Sequence, residues 1–136
     1  MAETHPLEHL ESIVVVGVGG FAGSNLRYFV ELYVPNSLAA TMLVNILGSL
    51  ALGFIIYENL LSGRISDASR TLMATGFLAS FTTYSTFIVD ALTTTPILAI
   101  GYIIGSYGLG FGAVLVGREA ARWITTETTH PAEVSE

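Results

Sequence analysis

The chain has 136 residues, enough for one domain, of which 51% are hydrophobic and 12% charged, whereas an ordinary soluble domain is about a quarter charged. With no cysteine, disulfides and thiolate metal sites are excluded; with no lysine and no basic patch, so is nucleic-acid binding. The net charge of −6 sits mainly at the ends, in Glu3, Glu8 and Glu11 and in Glu127, Glu133 and Glu136, which read as solvated, disordered tails.

Charge is absent from residues 12–26, 32–57, 71–89 and 91–117, runs of 15, 26, 19 and 27 residues. A helix needs roughly 20 apolar residues to cross a bilayer, so three runs qualify alone. The first qualifies if it continues past Arg27 toward Tyr33. The organisation expected is a polar tail (1–11), a four-helix membrane domain (12–123) and a second polar tail (124–136). The first segment lacks the basic flank and small-residue cleavage site of a signal peptide.

Segment one runs from Ile13 to Tyr33. Its IVVVGVGGFAG stretch has the G-x-G-x-x-A spacing of a dinucleotide loop at Gly17, Gly19 and Ala22. That motif needs a βαβ unit and an acid about 20 residues on, and the region 36–40 has none. In a membrane helix Gly19 and Gly23 instead form a G-x-x-x-G pair, which permits close helix contact. Arg27 has two readings: snorkelling to the headgroups, or facing water or the protein interior and attracting an anion.

Pro35-Asn36 marks a short turn before segment two, from Leu38 to Leu60. Thr41, Asn45 and Ser49 fall at i, i+4 and i+8, on one helix face. Asn45 either bonds another helix or lines a pathway with its amide. The loop 61–69 offers Ser66 or Asp67 as a helix N-cap.

Segment three, from Arg70 to Leu92, holds Ser80, Thr82, Thr83, Ser85 and Thr86, five aliphatic hydroxyls within seven residues of an apolar span. Ser and Thr can bond backbone groups and permit a local break. Broken membrane helices expose carbonyls that bind cations and N–H groups that bind anions. The other reading is a hydroxyl-rich packing face.

The run Thr93-Thr94-Thr95-Pro96 is a second turn, with Pro96 suited to the first turn of the next helix. Segment four runs from Ile97 to Trp123, the latter an interfacial aromatic. Tyr102, Ser106 and Gly110 share a face, and the pairs Gly101/Gly105 and Gly108/Gly112 predict tight packing. His5 and His9 are spaced i, i+4 in the acidic tail, a weak metal signal. No histidine lies in a span, and no acid–base–nucleophile set of a membrane enzyme is present; Asp90 lies close to the end of segment three. Arg64, Arg70, Arg118 and Arg122 fall on the side of the tails, with Arg27 alone toward the other, so the termini are expected in the cytoplasm.

Three stretches carry a resemblance. Gly19-Gly20-x-x-Gly23-x-x-x-Arg27-Tyr28, Val44-Asn45-x-x-Gly48-Ser49, and Gly76-Phe77 leading to Thr82-Thr83-Tyr84-Ser85-Thr86-Phe87 resemble, in order and separation, the Fluc/CrcB fluoride channels. The match covers about residues 13–120. It implies an all-α membrane protein with four transmembrane helices and a break in the third, paired as an antiparallel, dual-topology dimer in the cell membrane. It further implies passive fluoride export, hence fluoride resistance, through two pores at the dimer interface, with a structural Na+ on the two-fold axis. No enzyme activity is implied.

Carried over by motif position, Asn45 is a pore donor, and Phe87 and Tyr84 are the flanking rings, with Tyr84 standing where the family usually has Phe. Ser85 and Thr86 supply hydroxyls near the pore. Tyr102 and Ser106 match a polar track on segment four, where Gly110 takes a position that may hold Ser. Ala79 and Thr82 fall where backbone carbonyls hold Na+, and Arg27 matches the arginine of segment one. Such a pore set is donor-rich and uncharged, which suits a strongly hydrated anion that must be dehydrated without being trapped. The alternative weighed is a small four-helix, dual-topology multidrug exporter, which needs a carboxylate deep in its first helix; none lies between Ser12 and Leu26. The skewed arginines leave two partners open: a second copy, or an oppositely oriented paralogue.

Overall fold

A computed structural model describes the backbone of residues 6–127. The tail positions beyond, including His5 and the acids Glu3, Glu133 and Glu136, lie outside the described residues. The chain is all helical there: α1 (Pro6–Tyr33), α2 (Ser37–Leu61), α3 (Asp67–Arg70) running into a π-helix (Thr71–Leu78), α4 (Ala79–Phe81), α5 (Tyr84–Thr93) and α6 (Pro96–Glu127). Four stretches, 9–33, 37–61, 67–93 and 96–126, are long and apolar enough to cross a membrane. The first helix starts at Pro6, ahead of the Ile13 expected, and the last continues past Trp123 to Glu127.

Local chemistry sets the boundaries. Asn36, after Pro35, caps α2 by accepting from the Ala39 N–H at 3.0 Å. Ser66 caps α3 by accepting from Ser69 N–H at 3.2 Å. At the end of α2 the Glu58 carbonyl accepts from the N–H groups of Ser62 and Gly63, and its buried carboxylate accepts from the Ser62 hydroxyl and the Arg64 N–H. Gly63 turns the chain there at φ 59, the left-handed region glycine tolerates. Pro96 opens α6, where its missing N–H costs nothing.

The packing is two pairs of parallel spans. α1 runs along the third span: a Cβ on Gly23 would come within 2.2 Å of the Phe77 carbonyl oxygen, and one on Gly19 within 2.5 Å of the Leu72 carbonyl oxygen. The Gly19/Gly23 pair thus brings two backbones together as read from the sequence. α2 runs along α6, where Gly53 meets the Val114 backbone and Gly117 meets that of Leu50 and Phe54. Within the subunit the pairs Gly101/Gly105 and Gly108/Gly112 make no tight contact. A Cβ at Gly101, Gly108 or Gly112 would meet nothing within 4 Å. Gly105 meets only the Met42 methyl group, at 3.7 Å, and the tight contact of α6 with α2 falls to Gly117.

The third span breaks where the hydroxyls cluster. α4 ends at Phe81, Thr82 and Thr83 are extended at ψ 160 and 123, and α5 starts at Tyr84.

Candidate functional site

Asn45, in the middle of α2, faces the break. Its side-chain oxygen accepts from the Thr83 N–H at 2.9 Å, and its Nδ2 donates to the Thr83 carbonyl at 3.0 Å. Both backbone groups of one extended residue are thereby satisfied where lipid supplies no water. Thr83 also starts α5: its hydroxyl accepts from the Thr86 N–H at 3.2 Å and donates to the Thr86 hydroxyl at 2.9 Å, with the Ser85 hydroxyl 3.5 Å away. Ser85 and Thr86 therefore gather on the Thr83 cap.

These diversions free particular carbonyls. In an unbroken helix the Thr83 N–H would serve the Ala79 carbonyl and the Thr86 N–H that of Thr82. Here those donors go to Asn45 Oδ1 and Thr83 Oγ1. Neutral oxygens with spare lone pairs suit a hard monovalent cation, and no cluster of three or more acidic, His or Cys side chains competes among the described residues.

Two open grooves flank the break. One, of about 270 Å³, is lined by Asn45, Ser49, Tyr84, Phe87, Ser106, Tyr107, Gly110, Phe111 and Val114. The other, of about 390 Å³, includes Ala79, Thr82 and Thr83 and shares Asn45, Ser49 and Tyr84 with the first. Tyr84 is exposed and its ring lies over that of Phe87, with centroids 6.0 Å apart. Phe87 is buried against Tyr102, at 5.0 Å, and meets Tyr107 edge-on at 6.0 Å. The Ser106 hydroxyl is buried with no hydrogen-bond partner. The Tyr102 hydroxyl is buried and set beside the Thr41 hydroxyl and the Asp90 carboxylate.

Of the residues singled out by sequence, Asn45, Tyr84, Phe87 and Ser106 converge on the first groove, Tyr102 backs it, and Ala79 and Thr82 line the second. Arg27 lies apart: its Nη1 donates to the Ser80 carbonyl at 3.3 Å, and its Nε pairs with Glu31 at 3.6 Å. Sequence reasoning gave no site role to Asp90, which is buried and accepts from the Ser37 hydroxyl at 2.6 Å and the Thr41 hydroxyl at 2.8 Å. An acid in an apolar span is a functional signal by itself, and Thr41 already shared a face with Asn45. Tyr107 and Phe111 had no such signal, since aromatics are ordinary in a lipid-facing helix.

The profile described as CrcB-like protein, Camphor Resistance (CrcB), matches residues 14–118. A Haloarcula marismortui protein named fluoride-specific ion channel FluC 1 is 55% identical over 122 residues, covering 90% of this chain and 94% of its own. One of the same name from Natronomonas pharaonis is 41% identical, covering 82% and 95%. A FluC 2 of Halobacterium salinarum is 41% identical, covering 81% and 86%. With four spans, a family match over most of its length and these relatives, the chain belongs to the CrcB family as a multi-pass membrane protein.

Proposed function

We propose that this chain is one subunit of a fluoride-selective channel of the cell membrane, not an enzyme. It lowers cytoplasmic fluoride by passive export through pores formed where two subunits meet in antiparallel orientation. The relatives' names support fluoride as the ion. The observation that carries the reading is the buried, unpartnered hydroxyl of Ser106 in the groove that Phe87 also lines. A buried donor without an acceptor is costly to a folded chain, and a small anion is the acceptor that the Ser106 hydroxyl lacks; the Tyr102 hydroxyl, beside Asp90, backs the same groove.

The rest of the set agrees in chemistry. The remaining amide hydrogen of Asn45, the hydroxyls of Ser85 and Thr86 and the positive ring edges of Phe87 and Tyr84 polarise toward an anion without a formal charge that would trap it. Arg27, its charge partly offset by Glu31, adds a positive field nearby. The grooves are open on one subunit and become pores when a partner covers them, the partner being a second copy or an oppositely oriented paralogue. The Ala79 and Thr82 carbonyls, deprived of their helical donors, would hold a structural Na+, which when bound supplies a modest positive field.

The test is ion efflux from liposomes holding the purified protein, with any partner subunit included. Fluoride should leave rapidly and chloride hardly at all. Equal or absent flux from folded, dimeric protein overturns the reading.

A further inference from the structure

The third span breaks next to two side chains that reach it from opposite directions. Asn45 comes from α2 and takes both backbone groups of Thr83. Arg27 comes from α1 and takes the carbonyl of Ser80. Ser80 sits between Ala79 and Thr82, and α4, which contains it, ends one residue later. The last carbonyls of a helix have no donor of their own, and in the bilayer such groups are satisfied by protein or by a bound ion.

The neighbours differ residue by residue. Ala79 and Thr82 line the groove on the α2 side, together with Asn45 and Gly48. Ser80 turns to α1: its carbonyl meets Arg27, and its hydroxyl oxygen would lie 3.2 Å from a Cβ on Gly20. Arg27 is well placed to hold this split. Its side chain is 32% exposed, its charge is shared with Glu31, and a guanidinium bond to a carbonyl is charge-assisted.

We propose that Arg27 is a positioning residue for the carbonyls at the break: by drawing the Ser80 carbonyl toward α1 it keeps those of Ala79 and Thr82 turned into the opposite groove, presented to a small hard cation. This rests on the Na+ site proposed above and is separate from any field Arg27 exerts on fluoride.

The experiment is the melting temperature of the purified full-length protein, titrated with NaCl against N-methylglucamine chloride at constant ionic strength. Na+ should stabilise the wild type. In Arg27→Met the Na+ concentration giving half the effect should rise about tenfold, the loss expected for one hydrogen bond to a charged group. Arg27→Lys, which keeps a shorter cationic donor, should fall between. Glu31→Gln should leave the Na+ midpoint in place. An unchanged midpoint in Arg27→Met overturns the inference, even where fluoride flux falls, because the residue would then act by its field alone. If Arg27→Met does not fold, Arg27→Gln, too short to reach Ser80, carries the same test. A wild type indifferent to Na+ overturns both this inference and the Na+ site, while the channel reading stands or falls on liposome flux.

Discussion

Asn45 and Thr83 exchange two hydrogen bonds across 38 positions of sequence, side-chain amide to backbone, at 2.9 and 3.0 Å. The pair replaces hydrogen bonds that the third span gives up at its break, and Asn45 lines both grooves. Asn45→Ala removes both bonds and leaves the Thr83 N–H and carbonyl unpaired. The cost expected is about 2–4 kcal/mol, seen as a lower melting temperature together with lost fluoride flux. Asn45→Asp keeps an acceptor for the Thr83 N–H but sets a carboxylate against the Thr83 carbonyl. It should melt below the wild type and conduct less.

Ser106→Ala should separate conduction from stability, and Tyr102→Phe should not. The Ser106 hydroxyl has no partner in the subunit, so deleting it should leave the melting temperature unchanged or raise it, whereas Tyr102→Phe removes a hydroxyl set beside Asp90 and Thr41 and should cost about 1 kcal/mol. If each donates to the passing ion, flux should fall by about tenfold per hydroxyl, the worth of a typical hydrogen bond. For Ser106→Ala, a fall in melting temperature with normal flux would mean that the hydroxyl serves the fold.

Asp90 joins α5 to the start of α2 through Ser37 and Thr41. Asp90→Ala should cost about 2–3 kcal/mol, and Asp90→Asn, which keeps one acceptor oxygen, about 1–2 kcal/mol. Combining Asp90→Ala with Thr41→Val should cost less than the sum of the two, because they share one bond. Thermal unfolding of the four proteins measures the coupling.

The glycines divide into two groups with opposite expectations. Gly23→Ala forces its Cβ onto the Phe77 carbonyl, and the backbone shift should cost about 1–3 kcal/mol. Gly108→Ala and Gly112→Ala meet open space within the subunit. They should leave the subunit's own fold intact, so a loss of dimer on size-exclusion chromatography would mark their face of α6 as a partner surface.

The number of spans, the site of the break and the close approach at Gly19 and Gly23 were legible in the sequence. Hydropathy, hydroxyl clustering and helical spacing are properties of neighbours along one chain, and each acts within a few turns. Which reading of Asn45 holds, why Gly117 packs while Gly108 does not, and where Asp90 finds its partners depend on which spans lie side by side. Those pairings come from surfaces far apart in sequence. Asn45 looks the same in the sequence whether its amide faces another helix or an ion. Only the parallel pairing of α2 with α6, and of α1 with the third span, turns it onto Thr83, leaves Ser106 without a partner and brings Arg27 to Ser80.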